Sequence, residues 1–495
     1  METVTATAPP PARALFKSML QGSGLYMLAT LGVRLASFIL VPVVTRHLTT
    51  ADYGVMDLLE QVGVITSVVL GLNFSSGLGF FYFEAGSVKR EVVGTTLAGS
   101  LMLGAIAGLL AFVLSGPIGK AVFHSSDYQI YLWLIFACMP VNFLLEAGLG
   151  WLRVENRAVL YASAVLLRVC LVIVGTLTLI LGFHLKIGGV LGSNVSAVTL
   201  TAIAVTATAF YHYRPAFNPV LFKRMLRFAL PLCLSACGLF IIHFGDRFIL
   251  PRYRSFADLG IYAAAYKFGM LLSPIQAAFE SYWCSQVFGI LKRSDARNVF
   301  ARVFTYWLAI LSFCALGLLV ATPPMLHKML PPSYYGALSI APIVLGAYYV
   351  RAIGDFFRHL FIANGLPAYD ATCNWITAGI SLASYFLLIP PFGIMGAAIA
   401  TLVTFALAGV MSVIWSRRVW PYHVDLARVG KLISVTVVLS AIHFAIPSSS
   451  FFIDIAVGAA LLAAFPLILW VWRFPTLSEK ELLRSSVARL MRSRA

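Results

Sequence analysis

Long runs of apolar residues, separated by short polar segments, follow one another along almost the whole chain. Each run is about 20 residues long, the length that a helix needs to cross the core of a bilayer. Hydrocarbon offers backbone N–H and C=O groups no partner, and the runs are too long and too evenly apolar for barrel strands, so they predict helices. About fourteen spans are expected, near 20–44, 54–82, 93–117, 129–151, 158–182, 187–211, 228–250, 258–288, 300–323, 336–361, 369–389, 394–416, 429–446 and 450–472. The pattern predicts an all-α polytopic membrane protein.

Composition agrees with this fold class, because 60% of the residues are hydrophobic, only 11% are charged and the mean hydropathy is +0.89. Most of the 36 lysine and arginine residues fall in segments that share one side of the membrane. Short loops rich in these residues stay cytoplasmic, so both termini are expected inside. The net charge of +17 then points to anionic lipids of the inner leaflet as partners, not to nucleic acid.

Two basic segments are expected to lie on that lipid surface: residues 215–227 and the C-terminal tail 474–495, whose apolar residues share one helical face. The alternative for the tail is a frayed, solvated end. The Pro-rich segment 1–18 lacks a cleavage site after a short apolar core, so it is expected to remain as a cytoplasmic tail.

One short motif occurs twice. The stretch TTADYGVMDLLEQVG at 49–63 shares its Ala-Asp-x-Gly and its closing Gly with SFADLGIYAAAYKFG at 255–269. Six predicted spans separate the copies, so both begin on the outer side and the repeat is parallel. Each Asp is expected to cap the helix that follows. Weaker echoes at similar spacing pair Asn156, Tyr161, Gly189 and Gly192 with Asn364, Tyr369, Gly393 and Gly396.

The repeat predicts two pseudo-symmetric lobes of six helices, at 19–213 and 214–418, with two further helices over 419–473. Parallel repeats are typical of transporters that rock one lobe against the other around a central cavity. Internal prolines are expected to kink their helices, namely Pro42, Pro140, Pro231, Pro274 and Pro342. Small residues are expected to admit a close neighbour on the third span, namely Gly94, Gly99, Gly104 and Gly108. Both features also occur in static bundles.

Several stretches resemble the lipid-linked oligosaccharide flippases, or O-antigen and polysaccharide transporters, of the multidrug/oligosaccharidyl-lipid/polysaccharide exporter superfamily. They are VPVVTRHLTTADYGVMDLL, GLGFFYFE, LRFALPL, DRFIL and LGIYAAAYKF. The resemblance covers most of 15–415 and implies a transporter, not an enzyme, in a bacterial inner membrane. It implies that the substrate is a polyprenyl-diphosphate-linked oligosaccharide, with a polysaccharide polymerase and glycosyltransferases as pathway partners. Many members are read with twelve spans, so the last two depart from the simplest pattern.

Such a substrate requires cations near mid-membrane, where each ionisable side chain costs about 2.5–3.5 kcal/mol to insert. Arg34 and Arg168 fall midway along predicted spans, and Lys267 lies well inside another. The repeat aligns Lys267 with Gln61, so these two are expected to face one cavity from opposite lobes. All four are candidates for binding the diphosphate and glycan. The alternative is that each cation pairs with a carboxylate on a neighbouring helix.

Carboxylates supply the candidates for ion coupling. Glu60, beside Asp57 in the second span, is expected either to bind a coupling cation or proton or to neutralise a cation of the cavity. Arg351 is a weaker substrate-binding candidate, since Asp355 lies four residues on and an intrahelical ion pair explains both. Asp246 neighbours Arg247, for which snorkelling to the interface is an equally simple explanation. Glu146 and Glu280 are expected to be solvated near cytoplasmic helix ends.

Two other function classes are weighed. A membrane-embedded polymerase or glycosyltransferase requires carboxylates in a long outer loop, and the outer loops here are short. A cation-coupled multidrug exporter of the same superfamily is expected to favour carboxylates over cations in its cavity. No phosphate loop for ATP occurs, and Cys233 and Cys237 lack His or carboxylate companions at ligand spacing. No cofactor, metal or catalytic residue is expected.

Overall fold

The computed structural model describes residues 32–33, 38–446 and 451–474, and all regular secondary structure in these residues is helical. Contacts divide the chain into two compact units, one up to Ala263 and one from Ala264. Helix α12 (Phe256–Gly269) runs across this boundary.

The first unit holds eleven other described helices: α1 (Phe38–His47), α2 (Thr50–Gly71), α3 (Leu78–Phe83), α4 (Lys89–Val113), α5 (Ser115–Phe123), α6 (Gln129–Ala137), α7 (Met139–Val154), α8 (Ala158–Leu177), α9 (Lys186–Tyr213), α10 (Pro219–Phe244) and α11 (Asp246–Ile249). A 3₁₀ turn, Phe74–Gly77, joins α2 to α3, and a π turn, Thr178–Gly182, extends α8. The buried core of the first unit surrounds Trp151 of α7. Large apolar side chains of α7 pack there beside those of α3, α4 and α9.

The second unit holds α13 (Ser273–Leu291), α14 (Ala296–Met329), α15 (Ala337–Ala363), α16 (Pro367–Val419), α17 (Leu426–Ala445) and α18 (Phe451–Val471). Its core is aromatic: Phe279 stacks on Trp307 with ring centroids 3.9 Å apart, and Trp283 stacks on Phe356 at 4.5 Å. Buried aromatic side chains supply large apolar area, and they hold α13, α14 and α15 together.

Eleven helices within the described residues are long and apolar enough to cross a membrane. The number falls below the predicted fourteen for visible reasons. Helix α16 contains two predicted spans, on either side of Gly393, whose φ of 59° and ψ of −131° are not helical. The predicted span 258–288 is built from α12 and α13 around a 3₁₀ turn at Met270–Leu272. Most of the predicted first span, the tail 1–18 and nearly all of the tail 474–495 lie outside the described residues.

The repeated motif forms the same structure in both copies. The hydroxyl of Thr49 and the carboxylate of Asp52 bond each other's backbone N–H groups at the start of α2. Ser255 and Asp258 do the same before the first turn of α12, with an N···O distance of 3.2 Å to the serine hydroxyl. Each Asp thus helps to cap its helix, but as the third helical residue of a capping box whose N-cap residue is Thr49 or Ser255, a role that the sequence prediction did not assign to them.

The glycine of the motif brings these two helix starts together. A Cβ atom on Gly54 would lie 2.1 Å from the carbonyl oxygen of Phe256, and one on Gly260 would lie 1.9 Å from that of Thr50. No side chain fits at such distances, so the two glycines permit direct backbone contact between α2 and α12.

The weaker echoes stay predictions, and the backbone differs between the copies at one of them. Asn156, two residues after α7, has a φ of 56°, whereas Gly365, not Asn364, has the positive φ after α15. Arg157 donates its N–H to the Leu152 carbonyl at the first of these turns. Gly192 packs on Leu179 at the end of the helix before it, and Gly396 packs in the same way on Leu388.

The glycines of α4 admit close neighbours, as predicted. Two of them, Gly94 and Gly104, contact different segments of the first unit. A Cβ on Gly94 would lie 2.3 Å from the carbonyl oxygen of Ala216 in the connector before α10. A Cβ on Gly104 would lie 2.7 Å from the Cα of Pro140, where α6 ends and α7 begins. Pro140 and Pro274 both mark helix breaks, as expected.

Residues 215–227 differ from the surface segment that the sequence predicts. The Arg90 side chain donates a 2.7 Å hydrogen bond to the Arg214 carbonyl, and Asn218 donates its backbone N–H to Thr95 at 2.9 Å. The Asn218 side chain also caps α10, accepting from the two N–H groups at its start. The connector is therefore fixed to α4, and the spanning helix α10 begins directly after it.

Candidate functional site

A cavity of about 590 Å³ lies within the first unit. Its walls come from α2, α4, α6, α7, α8, α9 and α10 and from the 3₁₀ turn after α2. Glycines on α2 shape one wall, because a Cβ on Gly63 would lie 2.9 Å from Ile135 and one on Gly71 would lie 2.4 Å from Phe143. The close approach of these side chains to α2 closes that side of the cavity.

Arg168 is the cationic side chain among the residues that line the cavity. It lies in the middle of α8 and is half-buried. Within the part of the chain that the structure describes, Arg168 has no ion-pair or hydrogen-bond partner. A guanidinium inside a spanning helix is costly unless an anion compensates it, so the cavity is suited to an anionic ligand.

Apolar side chains line most of the remainder, with a few carboxylate and amide groups among them. Glu60 projects from α2, Asn142 and Glu146 from α7, and Asn194 from α9. Glu146 lines the cavity eight residues before α7 ends, and it is exposed, which agrees with the expectation that it is solvated. Sequence reasoning missed Asn142 and Asn194. Their signal is weak but present, since each is an amide inside an otherwise apolar predicted span.

A second polar group is fully buried in the first unit, between α2, α11 and α12. The Arg247 Nε atom bonds Asp57 of α2 at 2.7 Å, and its Nη1 atom lies 3.5 Å from Asp246. The hydroxyl of Tyr262 on α12 donates to Asp246. Asp57, Asp246, Arg247 and Tyr262 are 6%, 0%, 3% and 0% exposed. Snorkelling of Arg247 is therefore wrong: it joins α2 to the α10–α12 region, and Asp57 and Asp246 share it.

In the second unit, Arg351 forms the intrahelical ion pair with Asp355 that the sequence offered as an alternative, at 3.2 Å. The amide of Gln276 on α13 bridges two carboxylates, donating to Glu280 at 2.7 Å and to Asp355 at 2.8 Å. Glu280 is thus part of a polar network and not simply solvated. Arg358 also lies 3.6 Å from Asp355.

The other predicted site residues are placed as follows. Arg34 lies outside the described residues. Lys267 is half-buried near the end of α12, in the second unit. Gln61 is 7% exposed and does not line the cavity of the first unit, and its Oε1 atom accepts no hydrogen bond from the described residues. That Lys267 and Gln61 face one cavity stays a prediction.

A third polar group lies beyond the C-terminal end of α7. Glu155 accepts hydrogen bonds from Tyr82, at 3.0 Å, and from Tyr213, and Arg157 pairs with it at 2.6 Å. Burial opposes its ionisation, but these hydrogen bonds and the Arg157 charge outweigh burial and lower the pKa of Glu155 below its ordinary value. The ionised carboxylate joins α3, α9 and the turn after α7.

Comparison with known proteins gives consistent matches. A family model described as "Polysaccharide biosynthesis protein" matches residues 19–281, more than half of the chain. A lipid III flippase of Escherichia coli is 22% identical over 402 residues, which cover 74% of this chain and 92% of that protein. The Lsg locus putative protein 1 of Haemophilus influenzae is 21% identical over 406 residues, covering 76% and 94%.

Solved structures show the fold. The lipid II flippase MurJ in an inward closed conformation superposes with a TM-score of 0.73 at 12% identity, covering 91% of this chain and 99% of that one. An inward-facing multidrug resistance MATE family transporter of the MOP superfamily gives 0.63 at 15% identity, covering 78% and 94%. The predicted all-α polytopic fold is confirmed.

Proposed function

The chain belongs to the polysaccharide biosynthesis protein family, and from this premise we propose that it flips a polyprenyl-diphosphate-linked oligosaccharide across the bacterial inner membrane. The product would serve O-antigen, exopolysaccharide or other polysaccharide synthesis, with a polymerase and glycosyltransferases as pathway partners. A relative named lipid III flippase and the likeness to a lipid II flippase fold support this function.

Arg168 is the observation that carries the proposal. A diphosphate bears negative charge and many acceptor oxygens, and guanidinium groups bind such oxygens through paired N–H donors. Arg168 supplies those donors in the middle of a spanning helix, inside a cavity, with no partner among the described residues. Arg34, Lys267 and Gln61 are proposed to complete the diphosphate and glycan site, with Arg351 as a further contact.

Transport is proposed to proceed by alternating access of the lobes 19–213 and 214–418, with both termini and the basic inner surface on the cytoplasmic, anionic-lipid side. Coupling is assigned to the carboxylates Glu60, Asp57, Asp246 and Asp355, of which Asp57 and Asp246 share one guanidinium. The membrane potential contributes about 2.3 kcal/mol per 100 mV for each charge that crosses the membrane, so the proposed transport could be driven by the movement of one or two charges.

A cation-coupled multidrug exporter is the second candidate, and one observation favours it. Two carboxylates, Glu60 and Glu146, line the same cavity as Arg168. Cationic drugs require negative charge in the cavity, whereas a diphosphate requires positive charge.

One assay separates the two functions. Full-length protein in liposomes is given either a fluorescent polyprenyl-diphosphate oligosaccharide, followed by lectin accessibility, or a cationic dye, followed by fluorescence quenching. We expect glycolipid translocation by wild type, loss of it in Arg168→Ala, Arg34→Ala and Lys267→Ala, and no dye transport. Dye transport without glycolipid translocation by correctly folded wild type would overturn the proposal in favour of the exporter.

A further inference from the structure

We propose that Asn142, Glu146 and Asn194 form a sugar-binding subsite for neutral sugars, next to the position of the diphosphate at Arg168. This inference rests on the proposed function and specifies which part of the substrate each side of the cavity holds.

The subsite follows from the faces that two helices turn to the cavity. Cys138 at the α6–α7 junction and Asn142 and Glu146 on α7 are spaced four residues apart, so they form one stripe along this side, and all three line the cavity. On α9, Asn194 lines it among apolar neighbours, Leu191, Val195 and Val198. Asn142 and Glu146 on α7 and Asn194 on α9 are thus polar side chains on otherwise mostly apolar walls of the cavity.

Arg168 and this stripe line the same cavity, and Cys138, at the α6–α7 junction, lies eight residues before Glu146. At helical rise this separation is about 12 Å. In the proposed site, a diphosphate lies at Arg168 and the sugars attached to it lie beside Asn142 and Glu146.

The three side chains have unused hydrogen-bonding capacity. Within the described ranges, Asn142, Glu146 and Asn194 have no side-chain hydrogen bond or ion pair. Asn142 and Asn194 are half-buried and Glu146 is exposed, so all three are open to a ligand in the cavity, and a ligand with hydroxyl groups would pair with them.

Their chemistry identifies the class of sugar. An ionised glutamate only accepts hydrogen bonds, while each asparagine both donates and accepts, which matches the hydroxyl and acetamido groups of a sugar. The Glu146 charge repels a carboxylate on the ligand, so an acidic sugar at this position is disfavoured. The subsite therefore selects neutral sugars, such as hexoses and N-acetylated hexosamines, over uronic acids.

Binding of three probes to full-length protein in nanodiscs tests the subsite. The probes are short-chain polyprenyl diphosphate that is bare, carries N-acetylglucosamine or carries glucuronic acid. Wild type is expected to bind the N-acetylglucosamine probe about tenfold more tightly than the other two, the ratio that about one net hydrogen bond supplies. Asn142→Ala and Asn194→Ala should bring the N-acetylglucosamine and bare probes to similar Kd values.

Glu146→Gln should bind the glucuronic acid probe more tightly than wild type does. A folding defect would not produce such a gain in affinity. Arg168→Ala should weaken all three probes together, and Asn298→Ala, an exposed asparagine at the start of α14, should change none. Equal binding of the three probes by wild type, or no gain in Glu146→Gln, would overturn the subsite while leaving the flippase intact. Failure of wild type to bind any probe would instead contradict the proposed function.

Discussion

The buried group at Arg247 gives a sharp prediction about stability. Two carboxylates, Asp57 and Asp246, share one guanidinium, and all three side chains are almost completely excluded from solvent. Replacing Arg247 with Met leaves two uncompensated buried carboxylates, so the free energy of unfolding should fall by about 3–5 kcal/mol. Asp57→Asn removes one of the two negative charges and keeps a hydrogen-bond acceptor, so its cost should be smaller, about 1.5–3 kcal/mol.

The double variant distinguishes a coupled group from independent side chains. In Arg247→Met combined with Asp57→Asn, only Asp246 remains charged, and it keeps its bond from Tyr262. The combined loss should therefore be at least about 1 kcal/mol smaller than the sum of the single losses. Unfolding is measured by denaturant titration in detergent micelles, with the tryptophan signal and helical content followed together.

A matched control exists in the same chain. Arg293 and Asp295 form an ion pair with the same 2.7 Å distance, but they lie at the surface. The corresponding substitutions there should leave the unfolding transition unchanged within error. Additive losses at Arg247 and Asp57, or a loss in Arg247→Met no larger than in the surface control, would refute the assignment of a coupled buried group.

Two further predictions concern packing and pH. Gly54→Ala places a Cβ against the Phe256 carbonyl and should lower the free energy of unfolding by about 1–3 kcal/mol. Gly289→Ala, in open space on α13, should be neutral or stabilising. Equal thermal unfolding of the two variants would contradict the close contact at Gly54. The lowered pKa of Glu155 means that its ionised form contributes stability above the ordinary glutamate pKa of 4.5. This contribution should be lost as the pH falls below that value. The difference in unfolding midpoint between wild type and Glu155→Gln, measured from pH 7 downward, should therefore shrink. A difference that stays constant with pH would contradict this prediction.

Patterns that are local in sequence predicted much of the fold. Apolar run length placed the helices, and the Thr49 and Ser255 motifs predicted caps because a capping box is completed within four residues. The glycines of α4 indicated close contacts but not their partners, since the connector at Ala216 and the junction at Pro140 are brought there only by the fold.

The sequence predicted the candidate site less completely than it predicted the fold. Asp57 and Arg247 are far apart in the chain, so no periodicity signals their ion pair, whereas the pairing of Arg247 with its neighbour Asp246 could be anticipated. Asn142 and Asn194 become notable only once three-dimensional packing shows that they face one cavity with Arg168. Charge inside a predicted span was the signal that did identify Arg168, because such a residue is costly whatever the fold.

Translocation by Arg168 variants tests the central claim most directly. Flipping half-times of a polyprenyl-diphosphate oligosaccharide are compared in liposomes for wild type, Arg168→Lys, Arg168→Gln and Lys186→Gln, the last an exposed cation at the start of α9. Loss of charge-assisted bonds worth about 1.5–3 kcal/mol predicts a slowing of roughly 10- to 100-fold in Arg168→Gln. Arg168→Lys should retain part of the rate and Lys186→Gln all of it. Wild-type rates in Arg168→Gln, with the protein folded, would contradict the account.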